Sequence, residues 1–373
     1  MNKLNDFEHR FRFGSRTTKF SNDEKLSILY LGTDSGTSRH RARSLIRLRH
    51  KVQVLDPYSF LPAGWMMNYW NHHTGALGSG TLVHTRVLGA IRNLKFDLVW
   101  VDGGDVISPE LVCALKWQGR FVVNYNLDDP YGTRDSKKWR LYLRSVPHYD
   151  LIVVVRDCNL AEAYQAGAKT VLRVDRSSDE VAHAPRKVSA ADQVKWGSDV
   201  AFLGTWMPER GPFLARLVEL GVPLSIWGNR WVKADEWPML RQFWRGPALE
   251  NEDDYAMALQ CAKVCIGLLS KGNRDLCTQR SFEIPHLGGV FCSERTPEHL
   301  ALYQEDLEAV FWSDADECAD KCKRLLNDEH WRKEVGRRGH LRSLRNGTTN
   351  EPVMKHIVFR AVDRMGAETS PSL

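Results

Sequence analysis

Between Arg274 and Gly289 the chain reads RDLCTQRSFEIPHLGG, and here residue types and spacing first suggest chemistry. Thr278 carries a hydroxyl that can cap a helix starting beside it. The free amides of such a first turn, with Lys271, Arg274 and Arg280 around them, would receive a diphosphate. One turn further on, Glu283 stands among Phe282, Ile284 and Leu287. An unpaired carboxylate in that company is costly, so it needs donors. A pair of ribose hydroxyls would serve, and so would a salt bridge to Arg280 or another arginine. Asp275 is a second acid, so two acids bracket one helix start.

Other candidates sit in loops that follow apolar runs. FLGTWMPER ends a run at Gly204, where a small residue lets a ligand approach the backbone, and sets Arg210 at the start of a helix. IWGNRW flanks Gly228 with Trp227 and Trp231, each able to stack on a flat ring or to fill a core. NLDDPYG puts Asp128 and Asp129 ahead of Pro130. One of them could act as a base or clamp a hydroxyl, and the pair could equally start a turn. VDGGD presents Asp105 in a similar, weaker way. GTDSGTSRHR carries Asp34 but is not G-x-G-x-x-G, and no acid follows at ribose distance, which makes it a poor dinucleotide fingerprint. It runs into SRHRARSLIRLRHK, crowded with Arg39, Arg41, Arg43, Arg47, Arg49 and Lys51, with Arg10, Arg12, Arg16 and Lys19 upstream. Such a patch could face phosphate, nucleic acid or an anionic membrane surface, or be a solvated helix face.

The elements that must position these residues alternate in kind. LSILYLG, KVQVLD, FDLVWVD, RFVVNYN, DLIVVV and TVLRVD read as strands, with helices such as SRHRARSLIRL and SPELVCALKW among them. The alternation argues for parallel sheets with helices on both faces. It restarts at SDVAFLG and continues through VPLSIWG, AKVCIGLL, GGVFC and EAVFW. The reading is α/β, two doubly wound domains facing a cleft, with ligands at the carboxyl ends of the strands. The expected divisions are a basic N-terminal extension (1–25), a first domain (26–176), a polar linker (177–197), a second domain (198–345), and a C-terminal segment (346–373). That last segment is taken to pack back on the first domain and end in a polar tail.

Composition narrows the class. A chain of 373 residues exceeds one average core. No apolar run approaches the ~20 residues that span a bilayer, and the N-terminus has no signal-like apolar region, so the expected location is cytoplasmic. Cys261 and Cys265, like Cys318 and Cys322, are four apart, which is helical spacing rather than a C-x-x-C knuckle, and no histidines cluster with them. Structural thiols and no metal site are expected.

Taken in order, NYNLDDP, AEAYQAGAKTV, DVAFLGTWMPERGPFLARL, IWGNRW, RSFEIPHLGG and WRKEVGRRGHLR cover most of the chain from Leu26 to about Arg345. The set resembles the GT-B glycosyltransferases and, more closely, their CgeB-like (spore maturation protein) branch. The resemblance implies a GT-B fold with the donor, a nucleotide sugar of the UDP class, held by the second domain and the acceptor by the first. It implies that Glu283 grips the nucleotide ribose and that Arg210 and Arg280 meet the diphosphate. Asp275 would face the donor sugar, where many related transferases carry a glutamate one methylene longer. It further implies that no metal or other cofactor is needed, and it leans towards retention. The implied partners are a nucleotide sugar and an acceptor that could be a glycan, a protein, a metabolite, an anionic polymer or a modified nucleic-acid base. The residues also leave open a catalytically silent nucleotide-sugar binding protein and a nucleotide-sugar 2-epimerase.

Overall fold

The computed structural model describes residues 25–117, 120–135 and 137–368. The basic positions upstream of residue 25 and the last residues of the tail lie outside this range. Strands β1 (Ser27–Leu31), β2 (Lys51–Leu55), β3 (Leu98–Asp102), β4 (Phe121–Asn126), β5 (Leu151–Val154) and β6 (Val171–Arg173) form one sheet. Its order is β2-β1-β3-β4-β5-β6. Strands β7 (Ser198–Leu203), β8 (Leu224–Trp227), β9 (Trp244–Gly246), β10 (Ala262–Gly267), β11 (Phe291–Glu294) and β12 (Val310–Trp312) form the second, ordered β12-β11-β10-β7-β8-β9. Every pairing is parallel. The two-domain α/β reading therefore holds.

Burial explains why these segments are strands. β4 is buried at all six positions and β3 at its first four, as expected of central parallel strands covered on both faces. The edge strand β2, KVQVL, is largely exposed. Several helices start on caps written in the sequence: Asn251 accepts from the amides of Asp253 and Asp254, Asp314 from Glu317, and Thr296 from His299.

The chain crosses between the sheets twice. The first crossing follows β6. The polar residues Ser177, Ser178 and Asp179, read from sequence as part of a peripheral linker, are buried. Their polar groups are satisfied by the second crossing: the Ser178 amide donates to Thr348 O at 3.2 Å, and the Asn350 amide to Ser178 O at 2.8 Å. After the helix Glu329–Asn346 the chain returns to the first domain as the helix Asn350–Glu368. Its Val353, Met354, Ile357 and Ala361 cover Ile28, Tyr30, Leu98 and Trp100 of the first sheet.

Candidate functional site

In each sheet the strand order reverses once, between β1 and β3 and between β7 and β10, and ligands of doubly wound folds bind outside such points. Gly204 follows β7. A Cβ on Gly228 would lie 1.9 Å from the Gly204 carbonyl oxygen, so only glycine lets the loops after β7 and β8 meet. Trp231 donates its indole N–H to that same oxygen at 3.0 Å. Both Trp227 and Trp231 are buried, so the expectation that either stacks on a ligand ring is corrected: they are core.

Arg210, first residue of the helix Arg210–Glu219, turns back under the ends of β7 and β10. Its guanidinium donates to Thr205 O at 2.8 Å and to Leu268 O and Leu269 O at 3.2 and 3.4 Å, while Nε is buried with no acceptor. Among the described residues it has no ion-pair partner. Burial pushes its pKa down to about 10; Glu209 and Asp275 oppose the shift, and Arg280 and Arg134 add repulsion. Arg280 donates to Leu203 O at 3.2 Å and to Glu283 at 2.7 Å, and its guanidinium lies over the Tyr255 ring. Two cations thus collect at the ends of β7 and β10, and one of them, Arg280, is paired with a carboxylate.

That carboxylate, Glu283, is 2 % exposed. It accepts from the Tyr255 hydroxyl at 2.5 Å and from Arg280, and His183 Nε2 stands 3.4 Å away. His183 Nδ1 accepts from the Asp179 amide, so the neutral ring presents its N–H to Glu283. Burial alone would raise the Glu283 carboxyl; His183, Arg280 and the Tyr255 bond more than offset it and hold it below the ordinary range. The salt bridge weighed from the sequence is therefore present.

The cradle of helix amides expected at Thr278 is narrower than the sequence suggests. The helix Arg280–His286 is only seven residues long and has no side-chain cap. The Thr278 amide donates to Ser281 Oγ, and the amides of Ser281, Phe282 and Glu283 donate to Thr278 O and Gln279 O. These donors are spent, which leaves the amides of Gln279 and Arg280 beside the guanidiniums as the positive charge at this site.

The loop before this helix is fastened to the first domain. Arg274, at φ +52°, forks onto Asp129 (2.6 and 2.7 Å) and Glu162 (2.7 and 2.9 Å). Asp129 is 3 % exposed, and although burial raises its carboxyl, the bonds from Arg274 and Asn159 hold it below the usual range. Asp129 is therefore not a free base, nor Arg274 a free phosphate ligand. Asp275 Oδ1 accepts from Arg156 at 2.5 and 3.0 Å and from Arg176 at 2.8 Å, which makes Asp275 the buried counter-ion of two first-domain arginines. Lys271 is exposed and paired with Glu294. Arg134, unremarked in the sequence, donates to Ser270 Oγ at 2.9 Å and Asn273 Oδ1 at 2.8 Å.

On the first domain Asp128 is half-exposed, with Lys138 Nζ at 3.6 Å. Tyr58 donates to Asp105, whose carboxyl burial raises despite Lys138 nearby. Asp128, Asp105, Tyr58 and Lys138 thus gather at the ends of β3 and β4. The basic helix is mostly neutralised. Arg41 is buried on Asp102 (2.7 and 2.8 Å), Arg39 pairs with exposed Asp34, and Arg47 takes Asp179, Glu180 and Glu351. Arg41 is thus no part of an exposed acceptor patch. Tyr58, Tyr255, His183, Arg134 and Lys138 were missed because each meets its partner through tertiary contact across many residues.

Two further features lie apart from these residues. A cavity of about 580 Å³ opens between β6 and the helices Cys158–Gln165 and Asn350–Glu368, and no residue of the cleft lines it. Cys292, Cys318 and Cys322, fully buried in the second core, bring their sulfurs within 4.8 Å of one another, a convergence that helical spacing alone did not disclose.

Residues 210–358 match a family model described as glycosyl transferase-like. No match to a curated protein sequence was found. Among solved structures, the chain is similar to Anabaena HepE in complex with UDP-glucose, with a TM-score of 0.64 at 12% identity over 91% of this chain and 100% of that one. It is similar to the sucrose-phosphate synthase of Thermosynechococcus elongatus, with a TM-score of 0.67 at 9% identity over 92% and 100%. A glycosyltransferase from Rickettsia africae gives 0.59 at 11% identity over 93% and 100%. The fold is that of the GT-B glycosyltransferases.

Proposed function

We propose that this protein transfers a hexosyl group from a UDP-sugar to an acceptor hydroxyl. The observation that carries the reading is Arg210, a buried guanidinium that makes no ion pair among the described residues, at the switch point of the second sheet. A diphosphate would supply the missing negative charge, and charge-assisted bonds in such a site are strong. Arg210 and Arg280 would stabilise the charge that develops as the diphosphate leaves, so the reading needs no metal. Glu283 would take the ribose hydroxyls once Arg280 swings towards the phosphates. Asp128, the half-exposed acid of its pair, would receive the acceptor proton, and Asp275 would support the sugar site from behind through Arg156 and Arg176. The resemblance leans towards retention of anomeric configuration.

The test is calorimetric binding of UDP beside uridine. Arg210→Ala should weaken UDP by about 1.5–3 kcal/mol, ten- to a hundredfold, and leave uridine unchanged. Glu283→Gln should weaken both. Equal losses for both ligands in Arg210→Ala would make Arg210 a fold residue and sink the reading. A nucleotide-sugar binding protein without transfer is the second reading, favoured by the engagement of Asp129 and Asp275 in ion pairs. UDP release in the presence of acceptor separates the two.

A further inference from the structure

The helix Trp65–Thr74 is amphipathic the wrong way round. At about 100° per residue, Trp65, Met66, Tyr69 and Trp70 share one sector of about 140°. That sector points outward: the four are 76, 69, 60 and 48 % exposed, and Leu77 just beyond is 68 % exposed. The opposite side, which faces the protein, carries Met67 against the first core and the amide of Asn71, buried and accepting from Ser79 Oγ at 2.6 Å. Trp70 is held in place, its indole N–H on Leu77 O at 2.9 Å, and the Tyr69 ring lies tilted against that of His73 with centroids 4.1 Å apart. The chain buries a polar side chain on this helix and leaves its aromatic ones in water, which marks a surface awaiting a partner.

Charge indicates which partner. From Pro57 to Phe96 the sequence holds no aspartate or glutamate, and Arg86 on the helix that follows is exposed. The end of the helix abuts two more exposed cations: a Cβ on Gly75 would lie 2.5 Å from Lys137 O and 2.6 Å from Arg140 Cβ. Trp and Tyr with apolar bodies and polar tips, flanked at one end by Lys137 and Arg140, match the headgroup region of an anionic bilayer. A second copy of this chain would set like charges against each other. A ten-residue helix is about 15 Å long and can only lie on a membrane, and among the described residues no helix is long and apolar enough to cross one.

We propose that the Trp65–Thr74 helix and Leu77 form a docking surface for an anionic lipid bilayer. The surface adjoins the cleft, because the turn Pro57–Phe60 that leads into the helix carries Tyr58, the hydrogen-bond donor to Asp105. Docking would hold the acceptor domain at the lipid–water interface. It stands independently of the transfer reading.

The experiment is co-sedimentation of the full chain with vesicles of phosphatidylglycerol and phosphatidylcholine, against phosphatidylcholine alone, at low and high salt. The protein should bind the anionic vesicles and release with salt. Trp65→Ser with Trp70→Ser should lower partitioning at least about tenfold, since binding scales with buried apolar area. Lys137→Gln with Arg140→Gln should lower it about fivefold per charge and flatten the salt dependence. UDP binding and the thermal midpoint should stay unchanged in both. Should the serine pair not fold, Trp65→Gln at the most exposed position gives the same readout. Wild type failing to bind anionic vesicles, or the serine pair binding them equally, overturns the proposal. So does a lipid-free dimer that the serine pair turns into monomer, which would make the face a contact between copies.

Discussion

The two switch points each bury an arginine, and the two arginines are treated in opposite ways. At β1 and β3, Arg41 forks onto Asp102, which also accepts from Tyr30 at 2.6 Å. Burial opposes the Arg41 charge, but Asp102 more than offsets it and raises its pKa. At β7 and β10, Arg210 bonds only to carbonyls and lies over the Phe202 ring, and burial pushes it down although Glu209 and Asp275 act against the shift. A buried charge with its partner built in is part of the fold, whereas one held by dipoles alone waits for a partner from outside. The second domain therefore carries its charge cost in the empty state and the first does not.

The largest expected effect would break this comparison from the first side. Arg41→Met should destabilise the first domain by about 3–5 kcal/mol, because Asp102 is left as an uncompensated buried charge, and restoring a neutral site with Asp102→Asn should recover part of it. Thermal unfolding checks this, and an unchanged midpoint for Arg41→Met would show that the pair is solvated. A smaller effect sharpens it from the second side. UDP at ~100 times its dissociation constant should stabilise wild type by about 2.7 kcal/mol. Arg210→Met should unfold no earlier than wild type without ligand and lose most of that gain. If Arg210→Met unfolds early instead, the second arginine is structural like the first.

The smallest effect concerns the tie between the domains. Asp129 and Glu162 are both held below their ordinary values in the fold, largely through bonds from Arg274. Groups with depressed folded values contribute stability that is complete above their unfolded pKa values, roughly 4, and is lost as pH falls through the folded values. Since Arg274 is more than a third exposed, the contribution should be about 1 kcal/mol. Acid titration of wild type and Arg274→Gln should show a difference at pH 6 that closes below pH 4. A gap that persists at acid pH would remove the carboxylates from the account.

The contrast also marks what could be read from the chain. Both sheets were legible because parallel central strands are continuous apolar runs, LVWVD and FVVNYN among them. The loops after Gly204 and after β10 were legible because fold class restricts where ligands bind. Pairing was not legible. Nothing near Asp129 in sequence announces Arg274, and nothing near Glu283 announces Tyr255 or His183, which arrive from 28 and 100 residues away. The strand Trp244–Gly246 and the helix Trp65–Thr74 were missed because one is three residues long and the other shows its apolar side to water, against the rule used to find helices.

The paired crossings have a mechanical consequence. Ser178 and Thr349 lie side by side in a parallel bridge, and Ser177 and Asp179 are bonded to Asn350. Two straps sewn together along one line would make that line the spine of any swing of the lobes, as in a bound book. They resist sliding or corkscrewing, which would shear the seam. Any swing of the lobes about that line would have to part the ion pairs of Arg274 with Asp129 and Glu162 and of Asp275 with Arg156 and Arg176, so the seam acts as the spine and these pairs as the clasp.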